Sequence, residues 1–176
     1  MRDEPNKHHR RSIRLRGYDY AAPGAYFVTI CVQGRQCLFG AVVDGELLLN
    51  DAGRMVRAIW DVLPERFPAL VLDATVVMPN HFHTVVMLRE APERSARLGD
   101  IVGAFKSLTT NAYIHGVRDQ GWPPFDRRLW QRNYYERIIR DDQALARIRD
   151  YIQTNPVHWE RDQLHPLAVP NHFNQE

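Results

Sequence analysis

The chain has 176 residues, 44% of them hydrophobic and 25% charged, with a net charge of +2. That size suits one domain with its own core, and the composition is that of a globular protein, not of a disordered or fibrous one. There is no run of 18 apolar residues to span a membrane and no apolar leader behind Met1. The two cysteines, Cys31 and Cys37, fit neither a disulfide framework nor a common zinc spacing, so a reducing cytoplasm is the expected compartment.

In chain order, residues 1–12 read as a flexible basic arm, and Arg10, Arg11, Arg14 and Arg16 give the N-terminal region a cluster of phosphate-seeking side chains. Ala25–Val32 is a strand candidate. Phe39–Asn50 holds short strand pieces around an Asp44-Gly45 turn. Asn50 is a suitable N-cap for a helix over Asp51–Leu63. Leu70–Met78 and His81–Leu88 read as two strands joined by a tight turn. Asp100–His115 reads as a helix with Ile101, Phe105, Leu108 and Ala112 along one stripe, ended by Gly121-Trp122-Pro123-Pro124. Leu129–Arg132 is a short strand candidate. Asp141 or Asp142 caps a last helix that Pro156 stops at Asn155. From Val157 onward the chain reads as irregular.

The order of strands and helices predicts an α+β fold: a ferredoxin-like split βαβ sandwich, with an antiparallel sheet, helices on one face and an appended C-terminal helix. The domain is expected to cover residues 13–160, with 161–176 as an irregular tail.

Chemistry concentrates at two places. In the segment Val77-Met78-Pro79-Asn80-His81-Phe82-His83, side chains at i and i+2 of a strand share a face, so His81 and His83 project together and make half of a metal site. On the last helix Leu145, Ile148 and Ile152 form the core stripe. Tyr151 and Asn155 lie one turn apart at its edge. Asn offers a neutral oxygen to a hard cation such as magnesium or manganese, and a phenol can act as nucleophile. Tyr113, Tyr134 and Tyr135 compete for that role, but none carries an oxygen ligand at i+3 or i+4, so Tyr151 ranks first. Arg127, Arg128 and Arg132, interleaved with Trp130, Tyr134 and Tyr135, are candidates for phosphate pairing and base stacking. Lys106 is a further candidate for a phosphate contact.

Taken together these motifs resemble a known family. His81-Phe82-His83 is similar to the HUH motif of single-tyrosine transposases. With Trp130-Gln131-Arg132-Asn133-Tyr134-Tyr135, Tyr151-Ile152-Gln153-Thr154-Asn155-Pro156 and the opening Arg14-Leu15-Arg16-Gly17-Tyr18-Asp19-Tyr20, it resembles the REP-associated tyrosine transposases, over about Ser12 to Trp159. The resemblance implies a ferredoxin-like fold, His81, His83 and Asn155 as ligands of magnesium or manganese, and Tyr151 as nucleophile. It implies a metal-dependent endonuclease and strand transferase acting on single-stranded or hairpin DNA formed by palindromic repeats, through a 5′-phosphotyrosine intermediate. It also implies a monomer or homodimer, cytoplasmic and nucleoid-associated, with no membrane partner. Two rival readings are a non-catalytic hairpin-binding relic of a transposase and a small zinc metallohydrolase. The second lacks a visible acidic ligand cluster.

Overall fold

The computed structural model describes residues 23–90 and 96–169. Strand β1 (Gly24–Cys31) leads into a small hairpin, β2 (Gly40–Val43) and β3 (Glu46–Leu49). Helix α1 (Asp51–Asp61) and the single turn α2 (Leu63–Arg66) follow, then strands β4 (Leu70–Val77) and β5 (His81–Leu88). Helix α3 (Leu98–Gln120), strand β6 (Tyr135–Ile139), helix α4 (Asp142–Thr154) and a 3-10 turn at Pro156–Arg161 complete the chain.

The main sheet has the order β4-β5-β1-β6, and every neighbouring pair is antiparallel. The two crossovers β1–α1–β4 and β5–α3–β6 interleave, which is the expected ferredoxin-like split βαβ sandwich. Period-2 alternation sends the two faces to different partners. On one face Tyr26, Val28, Ile30, Phe82 and Val86 pack with residues of α1 and α3. Its aromatic centre is Trp60, Phe82 and Phe105, with ring centroids 4.8–5.1 Å apart. On the other face Val85 and Ile139 are buried under Ile148 and Ile152 of α4, with Phe27 and Val76 beside them. The histidines of β5 therefore face α4, while Phe82 between them faces the larger core.

Local chemistry explains most boundaries. The Asn50 side chain accepts a hydrogen bond from the Gly53 amide and caps α1. Asp44 and Gly45 have φ of 51° and 79°, the pair of positive values that suits a tight two-residue hairpin. Asp141 accepts from the Ala144 amide and caps α4.

Four differences from the sequence reading have physical causes. The expected single helix to Leu63 breaks at Val62, because Pro64 cannot continue the ladder. Helix α3 runs on past His115: Gly116 lies under Trp122, where a Cβ would sit 2.2 Å from the indole, and Gly121 ends the helix at φ 71°. Its buried stripe is Ile101, Phe105, Thr109 and Tyr113, leaving Leu108 37% exposed. The Leu129–Arg132 segment makes only a bridge, Val32 to Trp130, and the fourth strand of the sheet is β6 instead. The basic arm falls outside the described residues, and among the described residues no helix is long and apolar enough to cross a membrane.

Candidate active site

The β4–β5 turn is held rigidly before any functional atom is considered. The Met78 amide donates to the His81 carbonyl, and the Asn80 carbonyl accepts from the Val32 amide. The Asn80 side-chain amide donates to the carbonyls of Arg35 and Leu164. With both N–H groups of that amide committed, its Oδ1 is the acceptor at 2.8 Å from His81 Nδ1. His81 Nδ1 must then carry the proton, and in the neutral ring Nε2 keeps the lone pair. That Nε2 is buried and has no hydrogen-bond partner.

His83 is anchored in the same way. Thr29 stands opposite it in the β1–β5 register, and its hydroxyl shares a 2.7 Å hydrogen bond with His83 Nδ1. This leaves Nε2 to face α4. The two imidazole centroids are 4.5 Å apart. Both rings are buried, and burial pushes His81 down to about 3. Burial and the neighbouring His81 hold His83 well below its ordinary value, against the opposing pull of Asp162. Two imidazoles kept neutral by burial, with their Nε2 atoms turned inward, suit a metal, not an anion.

Helix α4 brings in the remaining groups. The Tyr151 hydroxyl lies 3.3 Å from His83 Nε2, and its ring packs edge-on against Phe27. The side chain is 44% exposed, open to an incoming substrate. Burial of its hydroxyl end and the Asp162 carboxylate push the phenol up to about 12. Asn155 caps the helix and is 2% exposed. Its amide donates to Asp162 Oδ2 at 3.0 Å, and its Oδ1 is a buried acceptor without a hydrogen-bond partner. Thus His81, His83, Tyr151 and Asn155, from β5 and α4, converge on one place.

The sequence reading missed Asp162, which it assigned to an irregular tail. The 3-10 turn folds that segment back over the histidines: Trp159 lies 5.9 Å from the His81 ring, centroid to centroid, and Asp162 Oδ2 lies 3.9 Å from His81 Nε2. His81, His83 and Asp162 form a buried group whose ligand atoms lie within 4.8 Å of one another and could hold a metal ion. An isolated Asp beyond a proline carries no sequence signal. The return of the chain onto Asn80, through the Leu164 carbonyl, is a tertiary event.

The candidate DNA residues divide. Arg127, Arg128 and Arg132 are exposed and, with Lys106, Phe125 and Trp130, line an open groove of about 510 Å³. Tyr134 and Tyr135 are half-buried. Two of the candidates are already engaged within the domain. Trp130 is 3% exposed, and its indole N–H donates to Thr109 Oγ1, so most of its ring is committed to the core. The Lys106 ammonium donates to the carbonyls of Gln131, Arg132 and Asn133, which uses all three of its hydrogens and makes it the anchor of the arginine loop. Burial lowers it to about 8. Arg10, Arg11, Arg14 and Arg16 lie outside the described residues.

No family model matches the chain. An uncharacterized protein of Haemophilus influenzae is 39% identical over 90% of this chain and 94% of its own length. A second Haemophilus influenzae protein, assigned as a REP-associated tyrosine transposase, is 28% identical over 79% of this chain and 73% of its own length. Among solved structures, a REP-associated tyrosine transposase bound to a REP hairpin covers 93% of both chains at 19% identity, with a TM-score of 0.57.

Proposed function

We propose that the chain is a REP-associated tyrosine transposase that binds hairpin DNA and cleaves and rejoins single strands through Tyr151. The observation that carries this reading is the Tyr151 hydroxyl 3.3 Å from His83 Nε2, beside the unpartnered Nε2 of His81.

The residues fit a divalent cation. The inward lone pair of His81 and the buried Asn155 Oδ1 lack a hydrogen-bond partner, His83 Nε2 meets the Tyr151 hydroxyl, and Asn80 and Thr29 fix the rings from behind. Magnesium or manganese held by His81, His83 and Asn155 would draw charge from the oxygens of a scissile phosphate and favour the phenolate. The Tyr151 oxygen then attacks phosphorus. The phenol gives up its proton, a bond from its oxygen to phosphorus forms, the bond to the 3′ oxygen breaks, and the released 3′ oxygen takes up one proton, so the proton count is unchanged. The product is a 5′-phosphotyrosine, and attack by another 3′-hydroxyl reverses the step without ATP. Tyr151 lies at the open edge of α4, where a strand can reach it, while the ligands beneath are shielded from water.

Arg127, Arg128 and Arg132 pair with DNA phosphates, with Tyr134 and Tyr135 beside them and the basic arm on the hairpin. One chain supplies all four site residues, so a monomer carries a complete site. The protein works in the cytoplasm at the nucleoid.

The test is a labelled hairpin oligonucleotide with a single-stranded flank, incubated with manganese. The wild type cleaves it and forms a covalent adduct. Tyr151→Phe abolishes both while retaining hairpin binding. Cleavage that persists in that variant removes the phenol from the reaction.

A further inference from the structure

We propose that Asp162 is a fourth, anionic ligand of the same cation, held in position by the Asn155 amide. This rests on the reading of His81 and His83 as cation ligands and adds a residue to it. The Asp162 side chain is 5% exposed. Among the described residues it forms no ion pair with a lysine or arginine, and its hydrogen bonds come from the Leu164 amide to Oδ1 at 2.6 Å and the Asn155 amide to Oδ2 at 3.0 Å. A buried carboxylate with two neutral donors and no cation is costly.

What faces it makes the case. His81 Nε2 lies 3.9 Å from Asp162 Oδ2, too far for a hydrogen bond. The Asn80 network leaves a lone pair on that nitrogen, so two acceptors confront each other in a buried space. Such a pair is unfavourable unless a positive charge lies between them. Asn155 completes the arrangement: its N–H holds Asp162, and its own oxygen is left without a partner. One amide therefore fixes the carboxylate and adds its oxygen to the same set. Two imidazoles, a carboxylate and a carbonyl oxygen form a mixed donor set suited to first-row divalent ions.

The experiment titrates the full chain with manganese alone, without DNA, and follows free manganese by electron paramagnetic resonance. The wild type binds one ion, and His81→Ala abolishes binding. Asp162→Asn keeps an oxygen for the Leu164 amide but loses the charge, and it weakens binding by about 10-fold or more. Melting of the metal-free variants confirms folding. Asp162→Cys adds a readout that a structural role would not move, because a thiolate ligand shifts preference from manganese toward cadmium. Unchanged manganese affinity in Asp162→Asn, with binding still lost in His81→Ala, overturns the role of Asp162 and leaves the histidine site standing. Unchanged affinity in His81→Ala overturns both.

Discussion

Thr29 shows how much of this site depends on residues that touch no substrate. Its hydroxyl, directly across the β1–β5 pair, fixes the His83 ring and leaves Nε2 facing Tyr151. Thr29→Val keeps the shape but leaves a buried ring nitrogen unsatisfied. It costs about 1–3 kcal/mol of stability and about 10–100-fold in manganese affinity, measured by thermal melting and by metal titration. Unchanged affinity would mean that the ring is oriented by packing alone. At this scale the sequence was partly legible. His81 and His83 stand out because the two-residue period of a strand puts them on one face, and Tyr151 and Asn155 because helical spacing makes them neighbours. Thr29, Asn80 and Asp162 do not stand out, because their roles depend on strand register and on the return of the chain at Leu164.

The element that brings nucleophile and ligands together is α4. It lies on the sheet face opposite α1 and α3, held by Ile148 and Ile152 over Val85 and Ile139. A bidentate pair from Arg149 to Asp73 of β4, at 2.7 and 2.6 Å, ties it to the edge strand, and the Arg149 bond keeps the Asp73 carboxyl below the usual range. Ile152 is 1% exposed and lies one residue from the nucleophile. Ile152→Ala costs about 2–5 kcal/mol and lowers strand cleavage more than hairpin binding, checked by denaturant melting and by gel assays on one preparation. Equal losses of the two activities would show that α4 serves the whole domain and not the nucleophile in particular. The capping residues and core stripe of α4 were readable in the sequence, as was the Asp44-Gly45 turn. Strand β6 was not, because Tyr135-Glu136-Arg137-Ile138-Ile139 mixes charges into a five-residue run whose two faces serve different cores. The long end of α3 was hidden by Gly116, a weak helix former retained because Trp122 occupies the space of its side chain.

For the molecule as a whole, the cluster of neutral histidines couples metal, pH and stability. An imidazole in the unfolded chain titrates near 6.5, whereas folded His81 stays neutral down to about 3 and His83 is shifted in the same direction. Between those values the unfolded chain binds more protons, so stability is fully present above about pH 6.5 and falls as pH drops toward 3. Metal-free protein therefore loses melting temperature through this window. Manganese raises the melting temperature at pH 7, by about 2.7 kcal/mol of stabilisation at 100 times its dissociation constant, and a chelator reverses the gain. A melting temperature independent of pH between 7 and 4 would show that the imidazoles are not kept neutral by burial. The ferredoxin-like architecture was legible from the order of elements. The sequence left open how the last segment closes over the site, since only the folded sheet brings residues 81 and 162 together.

The central claim is that the phenol of Tyr151 forms the covalent bond to DNA, and the most direct measurement is the location of the adduct. Wild-type protein is incubated with a hairpin oligonucleotide and manganese, digested with trypsin after nuclease treatment, and mapped by mass spectrometry. The nucleotide remnant is expected on the peptide Asp150–Arg161, at Tyr151. A remnant on the peptide Asn133–Arg137, which carries Tyr134 and Tyr135, or cleavage with no peptide modified, would contradict the account.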